Sequence, residues 1–220
     1  PIFLNLDPAD VESKITPRTK AMVVCHQGGM PCDMDAFTTL ARRHGIALVE
    51  DASHAHGATY KGQRVGSFGD VAAFSMQTTK LMPAGEGGIF VTDAKEYMDK
   101  ATLLGHYERI GDLDDPEQSR FQNTGWGYKY RISPPHAALG RVSLSKLDER
   151  NAQRNSGIQY LYEQLSEIPG MTPEPVPSHV ERVYYLPGFI LYEPDELGGL
   201  PVTRFVEALK AEGAQVTAGT

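Results

Sequence analysis

Cysteine is scarce in this chain: Cys25 and Cys32 are the only two among 220 residues. Two thiols do not make a disulfide framework, so the cytoplasm is the expected compartment. Basic residues are outnumbered, 21 Lys and Arg against 28 Asp and Glu, for a net charge of -7. A nucleic-acid surface would show a basic stripe; the nearest candidates, "ARRHG" and "ERNAQRN", are single helix faces with acids nearby. No apolar run approaches the length that spans a bilayer. The opening "PIFLNLDPAD" has neither the basic start nor the long apolar core of a signal peptide. The partners left are small molecules, with no nucleic acid and no membrane. What is present, 40% apolar and 22% charged residues with 22 Gly and 15 Pro, is ordinary for a globular protein. The length suits one large domain or one and a half smaller ones. The chain opens on Pro1 in a strand-like pattern already under way and closes with "VTAGT" just after a helical one. A segment of a longer protein is therefore expected.

The first two-thirds alternates two periodicities. "AMVVCH" (21–26), "IALVE" (46–50), "VAAFS" (71–75) and "GIFVT" (88–92) are short apolar runs that predict strands. "DMDAFTTLARRHG" (33–45) predicts a helix with Asp33 as N-cap and Gly45 as stop, and "DAKEYMDKATLLG" (93–105) another with Asp93 as N-cap. Strands alternating with helices predict an α/β fold with a mostly parallel sheet flanked by helices. From 106 to 132 the pattern lapses into a polar, aromatic, turn-rich stretch whose Tyr, Trp and Arg favour a binding segment over a linker. Residues 133–170 predict one long helix or two joined ones, "MTPEPVPSH" a proline-rich connection, and the tail a strand, a loop and a helix. A smaller α+β unit is expected from about residue 150, giving units at 1–150 and 151–220.

Residues 74–88, "FSMQTTKLMPAGEGG", hold the most pointed chemistry. Lys80 is the only charge between Asp70 and Glu86 and sits among Met76, Leu81 and Met82. Apolar surroundings disfavour an ammonium and make the neutral amine available as a nucleophile. A solvated loop lysine is the plain alternative. Ligands of α/β sheets gather at the carboxyl ends of strands, and Asp51, Ser75 and Lys80 all fall at or just past such ends. An amine, a carboxylate and a hydroxyl there are the parts that pyridoxal 5'-phosphate needs: an amine for its aldehyde, a carboxylate for its ring nitrogen, and a hydroxyl for its phosphate.

The literal sequence adds to this. Glu50-Asp51-Ala52-Ser53-His54-Ala55-His56-Gly57, then Gly66-Ser67-Phe68-Gly69-Asp70, then Phe74-Ser75-Met76 leading to Lys80, then Gly85-Glu86-Gly87-Gly88, stand in order. This series resembles the central segment of the DegT/StrS-type aminotransferases. "ITPRTKAMVVCHQGGMPCDMDAF" and "GYKYRISPPHAALG" are similar to the blocks on either side. The resemblance covers about residues 8–165 strongly and the tail weakly. It implies a pyridoxal-phosphate enzyme of fold-type I, here an incomplete large domain followed by part of the small C-terminal domain. It implies transfer of an amino group, typically from glutamate or glutamine, to a ketone on a sugar, nucleotide-sugar or cyclitol. Lys80 would be the Schiff-base lysine and the proton-moving base, Asp51 the partner of the pyridine nitrogen, His54 the group near the ring's 3-hydroxyl, and Ser75 a phosphate ligand. A homodimer with shared active sites is implied, "TGWGYKYRI" being the segment that crosses over. Where the family has a phosphate-contacting Asn, this chain has Lys129 in "GYKYR", a point charge on a flexible stem. The family's first hundred or so residues, with a phosphate loop and a ring-stacking aromatic, have no counterpart in the chain.

Other readings stay open. In a dehydrating branch of the family the lysine is replaced, usually by histidine, so Lys80 argues against it. A non-catalytic binding or regulatory relative is disfavoured by the intact Asp51, Ser75 and Lys80. Cys25, His26 and Cys32 in "CHQGGMPC" are soft metal ligands, but the spacing fits no zinc knuckle, and no metal is expected. "GEGG" lacks the ending of a Walker loop, and Tyr184–Tyr185 reads as core packing of the small unit. Arg109, Arg131 and His106 are the basic candidates for a nucleotide.

Overall fold

The computed structural model describes residues 4–124, 127–186 and 189–218. Gly125 and Trp126 of the expected crossing segment, and the first three residues of the opening strand pattern, lie outside them. Helix α1 (Pro8–Lys14) is capped by Asp7 and leads to strand β1 (Ala21–Cys25). Helix α2 (Met34–His44) begins where predicted: the Asp33 carboxylate accepts the Ala36 N–H at 3.1 Å, and Gly45, at φ 60°, ends it. Its Met34, Phe37, Leu40 and Ala41 are buried, the spacing of one helix face. Then come β2 (Ala47–Asp51), the short pair β3 (Thr59–Tyr60) and β4 (Gln63–Arg64), β5 (Val71–Ser75) and β6 (Gly88–Val91).

The main sheet has the order β1-β2-β5-β6. The first two pairings are parallel and the last is antiparallel, so the sheet is parallel except at one edge. Strand residues alternate faces. Met22, Val24, Leu48, Glu50 and Ala72 point into the core with α2, whereas Val23 is 58% exposed and Phe90 40%. Cys25, Asp51, Ala73 and Ser75 belong by parity and register to that open face.

Helix α3 spans Lys95–Gly105. Asp93 does not cap it: Ala94 is the N-cap, and the Thr92 hydroxyl accepts the Ala94 N–H at 3.1 Å. Asp93 lies one residue before the N-cap position, and no side chain caps the first amides of the helix. The irregular stretch contains a 3-10 turn at 107–112 and the single turn α4 (Pro116–Ser119). Residues 133–170 form two joined helices, α5 (Pro134–Ser145) and α6 (Leu147–Ser166). The proline-rich connection starts as a strand, β7 (Met171–Pro173), because β9 (Ile190–Tyr192) returns antiparallel to it. β8 (Val180–Glu181) pairs with β3, and α7 (Val202–Ala211) closes the order. Helix α6 runs through residue 150, and residues 180–183 pack back on the first half of the chain: the Val183 N–H donates to Gly29 O at 3.2 Å.

Candidate active site

The "VED" that ends β2 supplies two carboxylates to opposite faces. Glu50 is fully buried. It accepts the Gly66, Phe68 and Gly69 N–H groups at 2.6–2.7 Å and pairs with His26 Nε2 at 3.0 Å. Burial opposes its charge, but the His26 hydrogen bond and the Gly66 and Gly69 amides outweigh it and hold the carboxyl below its usual range. Gly69 is required here, since a Cβ would stand 2.6 Å from Leu48 O. Asp70 completes the anchor by accepting the Leu48 N–H at 2.7 Å. The "GSFGD" block is thus a strap across the strand that ends in Asp51.

Asp51, on the open face, is only partly buried and accepts the Ser53 N–H at 3.0 Å. Burial raises its pKa, but the Ser53 hydroxyl and amide, with His54 nearby, bring it below the usual value. It is an anion at the end of a strand. Cys25 is its register neighbour. Burial, then the Asp51 charge, push the Cys25 thiol up to about 11, and burial pushes Cys32 up to about 12. His26 uses both nitrogens within the fold, Nδ1 accepting the Cys32 N–H at 3.0 Å and Nε2 facing Glu50. Cys25 and Cys32 are free thiols, the first partly buried and the second buried.

Lys80 ends a short turn built on Ser75. The Ser75 hydroxyl accepts the Gln77 N–H at 3.3 Å, and Gln77 O accepts the Lys80 N–H at 2.9 Å. The "GEGG" stretch closes the loop from below: the Met76 N–H donates to Gly87 O at 2.9 Å and the Thr78 hydroxyl to Gly85 O at 2.9 Å. Lys80 is partly buried, with Nζ 4.3 Å from the centre of the Tyr185 ring. The same ring stacks on His54, centroids 4.2 Å apart and planes 20° off parallel. His54 Nδ1 accepts the Gly28 N–H at 3.3 Å, which leaves any proton of the neutral ring on Nε2. Burial, then the Lys80 charge, lower the His54 pKa. Lys80 also acts electrostatically on Cys25 and His56. Lys80, Asp51 and His54 thus form one electrostatic cluster, and Ser75 joins it through the turn.

Lys129 is placed elsewhere in this chain. Its amine meets the Tyr107 hydroxyl at 3.2 Å and Glu108 at 3.3 Å. The nucleotide candidates are likewise engaged locally, Arg131 with Glu108 and Arg109 with Asp112 at 3.5 Å. Tyr184 is buried, and Tyr185 packs against the core cluster of Ala52, Met76 and Leu81, but Tyr185 also reaches out of it: its hydroxyl lies 3.1 Å from Thr79 Oγ1 and its face meets Lys80. The sequence carried no signal for this, because the two segments are 106 positions apart. A cleft of about 1290 Å³ between α6 and β8 holds the buried Arg182–Glu174 pair and none of the predicted residues.

An amine, a strand-end anion, a neutral imidazole and a hydroxyl on one open sheet edge fit the demands of an aldehyde cofactor with a basic ring nitrogen and a phosphate. Among the described residues no helix is long and apolar enough to cross a membrane.

Comparison with known proteins points the same way. The sequence pattern of the DegT/DnrJ/EryC1/StrS aminotransferase family matches residues 1–218. The L-glutamine:scyllo-inosose aminotransferase of Streptomyces griseus is 40% identical over 96% of this chain and 51% of its own length. DesV of S. venezuelae, solved in complex with a ketimine intermediate, is 35% identical, with TM-score 0.74 over 88% of this chain and 50% of its own. DesI, solved in the presence of its TDP-sugar product, is 31% identical, with TM-score 0.77 over 95% and 51%. The chain spans about half the length of the curated relatives it matches.

Proposed function

This chain belongs to the DegT/DnrJ/EryC1/StrS aminotransferase family, and from that we propose that the whole protein is a pyridoxal-phosphate-dependent aminotransferase. Its donor is L-glutamine or glutamate, and its acceptor is a ketone on a sugar or cyclitol. The observation that carries this is Lys80, a lone amine held over an aromatic face and sharing a strand-end cluster with Asp51 and His54. The S. griseus relative, named for glutamine and an inosose, supports that donor and favours a cyclitol acceptor.

When bound, the cofactor supplies an aldehyde for the amine and an electron-sink ring. The chain's own residues do the rest. Lys80 would provide the amine and, when not covalently engaged, would hold and move a proton at Nζ. Asp51, anionic at neutral pH, keeps the ring nitrogen protonated. His54 is oriented by the Gly28 amide so that Nε2 is its free donor. Ser75 hydrogen-bonds the phosphate. Residues 1–150 belong on this reading to the large domain and 151–220 to the small one. On this reading the protein is a homodimer, and Lys129, which meets Tyr107 and Glu108 within its own chain, would be the residue offered to the phosphate site of the partner subunit.

The full-length protein loaded with cofactor should absorb at about 410–430 nm. The band should vanish in Lys80→Ala and bleach on adding L-glutamine, and scyllo-inosose should restore it. A protein with no band under saturating cofactor is not this enzyme.

A further inference from the structure

We propose that Tyr185 is the positioning residue of the Lys80 amine, its ring serving as the platform on which the ε-ammonium and the His54 imidazole are both held. The inference rests on the reading of Lys80 as the cofactor-binding amine. Three contacts converge on this one side chain: the Lys80 Nζ at 4.3 Å from the ring centre, the stacked His54 ring at 4.2 Å, and the Thr79 hydroxyl at 3.1 Å from the phenol oxygen. A cation over a tyrosine face is attracted by the ring quadrupole, more strongly when partly desolvated.

The platform is itself fixed. Val183, two residues earlier, donates its N–H to Gly29 O. Gly29 has φ 90°, and a Cβ there would stand 1.9 Å from Val183 O, so only glycine lets the two backbones approach this closely. The adjacent Gly28 N–H holds His54, and His54 stacks on Tyr185. The contacts close into a ring running from Gly29 through Val183, Tyr185 and His54 back to Gly28. The hydrogen bond to Thr79 fixes the phenol end of the ring: the Thr79 hydroxyl donates to Gln77 Oε1 at 2.7 Å, so the phenol donates to Thr79 Oγ1.

The consequence concerns the amine when it is not covalently engaged. A free lysine on a loop swings into solvent, losing the proton it must return. Held on the ring, the ammonium stays within reach of the carbon it serves. Replacing the ring by an aliphatic group removes the attraction that holds the ammonium and frees the side chain.

The test uses the cofactor-free full-length protein and reads the acetylation rate of Lys80 alone, peptide by peptide, with an N-hydroxysuccinimide acetate. At about pH 7.5, Tyr185→Leu should raise that rate roughly threefold to fivefold over wild type. Tyr185→Phe, which keeps the ring face, should stay within about twofold. Equal rates in the Leu and Phe variants would overturn the proposal. Should Tyr185→Leu fail to fold by circular dichroism, Tyr185→Met, which fills the site without an aromatic face, should raise the rate to the same extent; no change there also overturns it. Cofactor absorbance recorded in parallel separates the two readings. A missing band sinks the role of Lys80 itself, and a normal band with unaltered Lys80 reactivity sinks only that of Tyr185.

Discussion

Glu50 and Asp51 are adjacent, carry the same functional group and end the same strand, yet they live in different worlds. The pleat sends Glu50 into the core, where His26 and three backbone amides consume its lone pairs. It sends Asp51 to the open face beside Cys25, His54 and the loop of Lys80. The first carboxylate is spent on holding the strap 66–70 in place; the second is left available. A charge fully satisfied by the fold stabilises and does nothing else, so reactivity in this molecule belongs to the groups the fold leaves under-satisfied.

The sharpest way to break that contrast is to remove each carboxylate in turn. Glu50→Ala orphans His26 and the Gly66, Phe68 and Gly69 amides together, and should cost about 3–5 kcal/mol by urea denaturation. His56 gives the next effect. It is buried, neither ring nitrogen makes a well-formed hydrogen bond among the described residues, and its pKa is pushed down to about 4: burial lowers it most, a loose Ser75 backbone contact offsets part, and the Lys80 charge adds to the lowering. The unfolded chain therefore binds this proton first. The stability from a neutral His56 is complete above about pH 6.5 and declines by roughly 2–3 kcal/mol as pH falls toward 4. His56→Leu should flatten that slope in melts taken across the window. Below it, acid stability should follow Glu50, whose depressed pKa contributes stability that is lost at still lower pH. The smallest effect on stability should come from Asp51→Asn, less than about 1 kcal/mol, because an amide oxygen can still accept the Ser53 N–H. The same variant should lose the donor-driven bleaching of the cofactor band. An Asp51→Asn protein as unstable as Glu50→Ala would erase the distinction between the two faces.

Much of this was legible in one dimension. The strands at 21, 47, 71 and 88, the Asp33 cap and the Gly45 stop follow from rules that act within a few residues. So did the placing of Asp51, Ser75 and Lys80 near strand ends. The misplaced Asp93 cap shows the limit even of local rules, since the helix begins one residue later than that carboxylate could cap. The strand at 171–173 escaped notice because its partner lies at 190–192. Tyr185 escaped for the same reason on a larger scale.

By itself the sequence determined the alternation of elements, the family, and the set of reactive groups carried to one edge of the sheet, because periodicity and short motifs are local properties of a chain. Only the tertiary structure decided which of two neighbouring carboxylates would be consumed, and that a tyrosine from the far end would lie under the lysine. Those outcomes depend on pleat parity against a packed core and on side chains meeting across 106 positions, where burial and hydrogen-bond satisfaction, not local preference, set the energy.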